Sequence, residues 1–334
     1  MRSPLATLRY ARSRADGKLR ELPVLLLELT ARCNARCVMC DYGRDPTSRT
    51  LSWERLEAIA AQLDRWRVQH IVLSGGEPLL HERIWDFAAL CGGRRRTLLT
   101  NGLLLARHAD RAAAACEEVV VSLDGPGTLH DQIRGVPTFE ELRRGVAALR
   151  ERRPELPIRG RATVQALNVG ALAATARAAR QLGLSSISFL ALDLTSLQAF
   201  GRSQLPPSAA LAPSSEQLDA LELEIETLIA SSELRAFISD SPESLRRIPR
   251  LYRAHNQHQP SAAPRCNAPW VSAWLRADGT IQPCFFHPPY AAGDAATELE
   301  TTLNHPQALA FRRSLRIAAN PICRRCVCWL NFHG

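Results

Sequence analysis

The sequence lacks an apolar run of the roughly 20 residues that a membrane-spanning helix needs. Residues 1–20 also lack the apolar core of a secretory signal, and there is no internal repeat or low-complexity tract. Hydrophobic residues make up 46% of the 334 residues, which is enough for one large domain or for a large and a small one. We therefore expect a soluble cytoplasmic protein with no membrane partner.

Cysteine is too sparse for a disulfide scaffold, and it is unevenly placed. Three of the ten cysteines lie between residues 33 and 40, and five lie after residue 265. The other two, Cys91 and Cys116, lie in helix-like segments and are predicted to be core thiols. This clustering, without a secretion signal, indicates metal binding.

The formal net charge of +9 is compatible with a nucleic-acid partner. The arginines are spread along the chain, however, and the dense runs at 94–96 and 152–153 are short. We interpret the helical arginines as solvated faces and expect no nucleic-acid partner.

Short apolar runs alternate with amphipathic ones from residue 23 to about residue 190. The clearest helical segment is Leu51–Trp66, with Ser52 as its N-cap. Six strand–helix units predict a parallel α/β fold, with functional residues at the carboxyl ends of the strands. Periodicity leaves open whether the sheet is flat, a full barrel or a partial barrel. The predicted strands, which we expect to be buried on both faces, are Val24–Leu29, His70–Ser74, Thr97–Thr100, Glu118–Leu123, Ile158–Val164 and Ser186–Leu190.

The pattern changes after about residue 245. Two short strand-like runs, Trp270–Arg276 and Thr280–Pro283, flank a hairpin turn, and a short helix is predicted over Ala308–Arg316. We expect a small cysteine-rich module appended to the α/β body. The predicted divisions are an N-terminal extension over residues 1–22, the α/β body over 23–235 and the module over 236–334.

Cys33, Cys37 and Cys40 form a CxxxCxxC loop directly after the first predicted strand. Three thiolates on one loop can hold three corners of a cubane iron–sulphur cluster and leave one iron open to a ligand. Zinc usually takes four ligands, and there is no partner pair nearby.

Further motifs follow in order, each at the end of a predicted strand. They are Gly75-Gly76-Glu77-Pro78, Thr100-Asn101-Gly102 and Val121-Ser122-Leu123-Asp124-Gly125. Together with CxxxCxxC, they resemble the radical S-adenosylmethionine (SAM) superfamily over roughly residues 20–200.

This resemblance implies a partial, six-unit (β/α) barrel of the TIM type. It also implies that the open iron chelates SAM and that one-electron reduction gives a 5′-deoxyadenosyl radical, which abstracts a substrate hydrogen. The turn motifs at Asn101 and Asp124 have a purely structural alternative, and Arg134 has an alternative as a surface residue. The implied SAM contacts are Tyr42, Gly75, Gly76, Glu77, Pro78, Asn101, Ser122, Asp124 and Arg134.

The C-terminal cysteines form a second set. A hairpin pair and a CxxC would fill one [4Fe–4S] cluster, although zinc would accept the same four thiolates on ligand count alone. After a radical SAM barrel, this spacing resembles the twitch module, the short form of the SPASM domain. The resemblance implies one auxiliary [4Fe–4S] cluster, and so two clusters in all. Its ligands would be Cys266, Cys284, Cys323 and Cys326. Cys328 is surplus, and could be a replacement ligand, a hydrogen-atom donor or an inert thiol.

The expected function is oxidation or epimerisation of a small biosynthetic substrate, with an external electron donor such as flavodoxin or ferredoxin. Few residues precede the first strand, which favours a small molecule over a peptide held by an N-terminal domain.

The alternatives to this function are maturation of a ribosomal peptide, a non-enzymatic electron carrier and a zinc-binding module. Asp193, His287 and Tyr290 are weaker candidates for the substrate pocket.

Overall fold

A computed structural model of the protein describes residues 4–44, 49–197, 199–202, 209–290 and 298–332. Its strands form one sheet in the order β6-β5-β4-β3-β2-β1-β7-β8. They are β1 Val24–Glu28, β2 His70–Ser74, β3 Arg95–Thr100, β4 Glu118–Ser122, β5 Ile158–Val164, β6 Ser186–Ala191, β7 Ser272–Leu275 and β8 Ile281–Gln282. The helices are α1 Pro4–Asp16, α2 Trp53–Ala60, α3 Ile84–Leu90, α4 Ala109–Ala115, α5 Thr128–Arg134, α6 Phe139–Arg152, α7 Leu172–Gln181, α8 Ser215–Ala230, α9 Ser232–Phe237, α10 Pro242–Asn256, α11 Ala268–Val271, α12 Leu299–Leu303, α13 Pro306–Ser314 and α14 Pro321–Arg324.

Strands β1 to β6 are parallel neighbours in chain order, with a helix between each pair. This confirms the predicted partial barrel. The registers bring the carboxyl ends of the strands to one edge; Glu28 at the end of β1, for example, lies opposite Ser74 at the end of β2. The loops that carry the sequence motifs therefore meet on one side of the sheet.

The expectation that every strand is buried on both faces is wrong for β5. Its residues alternate, so that Arg159 and Arg161 are exposed between the buried Ile158, Gly160 and Ala162. The sheet ends at β6 instead of closing on itself, and the inner face of β5 beside this edge stays accessible to water.

The C-terminal hairpin extends the barrel sheet instead of standing apart from it. Strand β7 pairs in parallel with β1, with Ser272 opposite Val24, and β8 pairs with β7 in the antiparallel sense. The first part of the predicted strand Trp270–Arg276 is replaced by the helical turn α11. The division into domains stays a prediction.

Predicted and observed helix boundaries differ most where the amphipathic pattern in the sequence continues beyond the end of the helix. Ser52 caps α2 as predicted, accepting a hydrogen bond from the backbone N–H of Arg55 at 3.4 Å. The helix ends at Ala60, and turns continue to Arg67, whose φ is +52°. The pattern did not predict helices α1, α5, α9, α10, α11, α12 and α14.

Helix α10 is joined to the barrel by the hydroxyl of Tyr252. It donates to the carbonyl of Val164 at 2.5 Å and accepts from the backbone N–H of Leu192 at 2.7 Å. The side chain is buried, and so this hydroxyl links the ends of β5 and β6 away from water.

Tyr252→Phe should lower the free energy of unfolding by about 1–3 kcal/mol, because two buried backbone groups lose their partner. Arg250→Ala on the same helix is the control. It removes an exposed ion pair with Glu243 and should cost less than about 1 kcal/mol. Urea unfolding of both variants checks this, and equal losses would contradict the linking role of the hydroxyl.

Candidate active site and cluster sites

A cavity of about 250 Å³ lies at the carboxyl ends of the barrel strands. Its wall combines the cysteine loop, the ends of β2 to β6 and the C-terminal hairpin. The lining residues used below are Cys33, Cys37, Cys40, Tyr42, Gly75, Gly76, Leu99, Asn101, Val120, Ser122, Arg134, Arg161, Leu190, Asp193, Phe200, Trp274, Phe285, Phe286, Val327 and Cys328.

Backbone hydrogen bonds from two other segments fix the shape of the cysteine loop. The N–H groups of Arg36 and Val38 donate to the carbonyls of Arg134 and Ile133, each at 3.0 Å. The N–H of Asp41 donates to the carbonyl of Phe200 at 3.0 Å. The end of α5 and the segment after β6 therefore hold the loop against the cavity.

The two glycines of the GGEP motif let a third segment approach the loop. The N–H of Gly76 donates to the carbonyl of Thr30 at 2.8 Å. A Cβ atom on Gly75 would lie 2.4 Å from that carbonyl oxygen, and one on Gly76 would lie 2.4 Å from the carbonyl oxygen of Arg32. Any side chain at these two positions would force the segments apart.

Glu77 and Pro78 are buried and do not line the cavity. The Glu77 carboxylate accepts hydrogen bonds from the hydroxyl of Thr100 at 2.9 Å and from the backbone N–H groups of Asn101 and Leu79 at 2.8 and 3.1 Å. Burial raises the pKa of Glu77 to about 7, although these bonds oppose the shift. The geometry therefore shows that Glu77 links the loops after β2 and β3, and its predicted contact with SAM stays a prediction.

Asn101 and Ser122, both predicted SAM contacts, line the cavity. The Asn101 amide donates to Asn34 Oδ1 at 2.8 Å, and its nitrogen lies 3.8 Å from Cys33 Sγ. Asn101 therefore does more than form a turn, because it contacts the cysteine loop directly.

Arg134 is buried, which excludes its alternative as a surface residue. Its guanidinium forms an ion pair with Asp124 at 2.6 Å, and its Nη1 lies 3.7 Å from Cys37 Sγ. Asp124 itself is fully buried and does not line the cavity. Its other oxygen accepts from the backbone N–H of Thr163 at 2.7 Å, so it orients Arg134 and is not exposed to a ligand.

Tyr42 lines the cavity and anchors the far end of the cysteine loop. Its hydroxyl donates to the buried carboxylate of Glu28 at 2.7 Å. Burial, followed by the neighbouring negative charge, raises the pKa of Tyr42 well above its ordinary value, so the phenol stays a donor.

The five C-terminal cysteines converge on a second, smaller cavity of about 30 Å³, whose wall includes Cys266, Cys284, Cys323, Cys326 and Cys328. The buried His287 also lines this cavity, with Nε2 at 3.4 Å from Cys323 Sγ. Cys328 lines both cavities, and so it lies in the wall between them.

Burial keeps several of these thiols protonated. It raises the pKa of Cys33 to about 11 and the pKa values of Cys40 and Cys284 to about 12. Cluster assembly at either cavity must therefore displace protons.

The weaker candidates for the substrate pocket lie in different places. Asp193 lines the main cavity, but its carboxylate is engaged by the buried Arg202 at 3.1 Å. Tyr290 lines neither cavity, and its hydroxyl accepts from Arg312 at 2.9 Å. Sequence reasoning missed Arg161 and the aromatic wall of Phe200, Trp274, Phe285 and Phe286. The alternation of arginine with buried residues along β5 was the feature of the sequence that could have indicated Arg161.

Comparison with known families decides between the possible cofactors. Residues 27–159 match the family model described as the radical SAM superfamily, and residues 266–327 match SPASM, an iron–sulphur cluster-binding domain. The chain therefore contains a radical SAM domain followed by a SPASM domain. It is therefore an enzyme that binds SAM and a [4Fe–4S] cluster. Its C-terminal SPASM domain is of the kind that binds auxiliary iron–sulphur clusters. The electron-carrier and zinc-module alternatives are wrong.

Curated relatives resemble only part of this radical SAM enzyme. Pre-heme d1 synthase of Dinoroseobacter shibae is 33% identical over 155 residues, which are 43% of this chain and 37% of that protein. GTP 3′,8-cyclase of Geobacter sulfurreducens is 34% identical over 145 residues, 40% of this chain and 44% of that protein. The chain thus spans less than half the length of these relatives.

Solved structures resemble nearly the whole chain. SuiB of Streptococcus suis, bound to the precursor peptide SuiA, superimposes with a TM-score of 0.65 at 16% identity, covering 98% of this chain and 77% of SuiB. The protein anSMEcpe with bound AdoMet gives a TM-score of 0.67 at 15% identity, covering 91% of this chain and 90% of that one. At these identities the likeness shows the fold. No helix in the described part of the chain could cross a bilayer.

Gly76→Ala should remove the cluster at the cysteine loop and leave the C-terminal one, because the new methyl group displaces the loop backbone. Iron should fall from about eight to about four atoms per chain after anaerobic reconstitution. Gly93→Ala, where a Cβ meets no atom within 4 Å, should keep full iron content. A Gly76→Ala protein with wild-type iron would show that close packing at this glycine does not matter.

Proposed function

We propose that this enzyme cleaves SAM reductively and uses the resulting 5′-deoxyadenosyl radical to abstract a hydrogen atom from a small biosynthetic substrate in the main cavity. The observation that carries this proposal is the single cavity that reaches from the cysteine loop to Cys328. In this proposal Cys33, Cys37 and Cys40 hold the SAM-binding cluster. One auxiliary [4Fe–4S] cluster is held by Cys266, Cys284, Cys323 and Cys326.

When bound, the first cluster supplies one electron to SAM, which divides into methionine and the radical. The chain's own part is to position the reactants and to exclude water. Leu99, Val120 and Leu190 line the inner barrel face, and aromatic side chains line the opposite wall. An apolar wall of this kind suits a radical that must meet only its substrate.

The substrate radical has two possible fates, and each involves a group that lines the second cavity. In an oxidation, an auxiliary cluster held by Cys266, Cys284, Cys323 and Cys326 would accept one electron from the substrate radical, which would also release a proton. In an epimerisation, the radical takes a hydrogen atom from the Cys328 thiol, and the sulphur radical left behind returns to a thiol by taking one electron from the external donor and one proton from water. The position of Cys328 between the cavities is compatible with both fates.

Maturation of a peptide is the second candidate. A neighbouring cavity of about 190 Å³ shares Asp193 and Phe286 with the main one, and it includes the exposed Arg325. This second space could receive the flanking part of a longer substrate. The likeness to peptide-bound SuiB makes the candidate worth testing.

Reduced enzyme should release 5′-deoxyadenosine and methionine from SAM, and Cys37→Ala should abolish the release by removing a cluster ligand. Cys91→Ala is the matched control, because that thiol is buried in the core and donates only to the carbonyl of Phe87. Anaerobic assay by mass spectrometry checks the prediction. Continued cleavage by the Cys37 variant would remove the basis of the proposal.

Cys326→Ala and Cys328→Ala should separate the two fates. If the auxiliary cluster accepts the electron, the folded Cys326 variant should still form 5′-deoxyadenosine with substrate but make far less oxidised product. If the thiol donates hydrogen, Cys328→Ala should lose product while retaining both clusters. Product analysis with candidate substrates measures both outcomes. A Cys326 variant that lacks its cluster and still makes product at the wild-type rate would contradict a catalytic role for this site.

A further inference from the structure

Arg161 projects from β5 into the main cavity. It lies in register with Ser122 on β4 and Ser188 on β6, and its side chain lines the cavity wall and is exposed. Its Nε donates to the Ser188 hydroxyl at 3.4 Å, a long hydrogen bond that leaves both terminal nitrogens of the guanidinium available.

Neighbouring arginines on the inner side of the sheet are neutralised by carboxylates. Arg134 is paired with Asp124 at 2.6 Å. Arg159, two residues before Arg161 on the same face, is paired at 2.8 Å with Glu118, a carboxylate that also pairs with Arg95. Among the described residues, Arg161 forms no such ion pair. It therefore presents an uncompensated positive charge to the cavity.

An effect on a neighbouring group locates this charge. Asp240 accepts from the backbone N–H of Phe189 at 2.7 Å; burial raises the pKa of Asp240, and Arg161 opposes that shift without forming an ion pair. Arg161 also lines the same cavity as Cys328, which lies in the wall between the two cavities.

We propose that Arg161 binds an oxyanion group, a carboxylate or a phosphate, of the substrate. The planar guanidinium matches either group in a two-pronged contact, and the hydroxyls of Ser122 and Ser188 flank it. An anion held there would fix the substrate between the cysteine loop and Cys328, where orientation decides which hydrogen is abstracted. This inference rests on the proposed function and narrows its substrate to an anionic small molecule.

Labelling of the reconstituted enzyme with phenylglyoxal, followed by peptide mass spectrometry, tests the anion site without a known substrate. Arg161 should be labelled, and inorganic phosphate or acetate should slow its labelling at least threefold relative to chloride at equal ionic strength, since occupancy slows labelling by about 1 + [L]/Kd. Protection by phosphate alone identifies a phosphate group, and protection by acetate alone identifies a carboxylate. Arg159 is the internal control and should not respond. No labelling of Arg161, or equal protection by chloride, would overturn the proposal.

A second measurement shows whether Arg161 binds the substrate or SAM, because SAM also carries a carboxylate. Arg161→Met should bind SAM within about twofold of the wild type, as should the control Arg159→Met. A loss of roughly tenfold or more in SAM affinity, the size expected for a lost charged hydrogen bond, would assign Arg161 to SAM and overturn the proposal. Cleavage of SAM by the wild type reports separately on the proposed function, so failure of one can be told from failure of the other.

Discussion

The geometry of the site depends on close backbone contact between the cysteine loop and the segments around it. The loop from residue 31 to residue 41 has no regular secondary structure of its own, and its neighbours therefore determine where the three thiols lie. Gly135 illustrates the constraint: its φ is +69°, and a Cβ atom there would lie 2.2 Å from the carbonyl oxygen of Arg36. With Gly75 and Gly76 on another side, the loop is held by contacts that only glycine permits.

The same constraint explains why charged motif residues point away from the cavity. Glu77 and Asp124 are buried; Glu77 accepts from the backbone N–H of Asn101 in the loop after β3, and Asp124 accepts from the backbone N–H of Thr163 on β5. A carboxylate bound in this way is a rigid link between loops. Glu77 contacts Asn101 and Asp124 contacts Arg134, and both of these partners line the cavity.

The C-terminal hairpin makes the iron–sulphur module part of the barrel. Because β7 continues the sheet beyond β1, Trp274 on β7 lines the same cavity as the cysteine loop, and Val327 and Cys328 complete its wall. A module attached only by a linker could not hold a wall in register with the strand ends. Pairing between β1 and β7 therefore fixes the second cavity relative to the first.

Much of this arrangement could be predicted from the sequence, because the apolar runs set the strands and the motifs follow them in order. Two strands, His70–Ser74 and Ile158–Val164, have the predicted bounds. Helix α10 was missed because it contains Pro249 and many charged residues, and its packing is visible only in the contact of Tyr252 with β5 and β6. The partners of Glu77 could not be predicted, because backbone N–H groups leave no mark in a sequence.

The arginines that give the chain its net charge have different roles in different positions. Arg143 and Arg144 pair with Glu140 and Glu141 on the exposed face of α6, as the interpretation of solvated helix faces requires. Arg134 is instead buried inside the site, between Asp124 and Cys37. The formal charge of +9 therefore says little about partners, because what a ligand meets in the cavity is the balance of the few charges that line it. The uncompensated charge lies on the β5 side, so that part of the cavity favours an anionic group of a ligand irrespective of the surface charge.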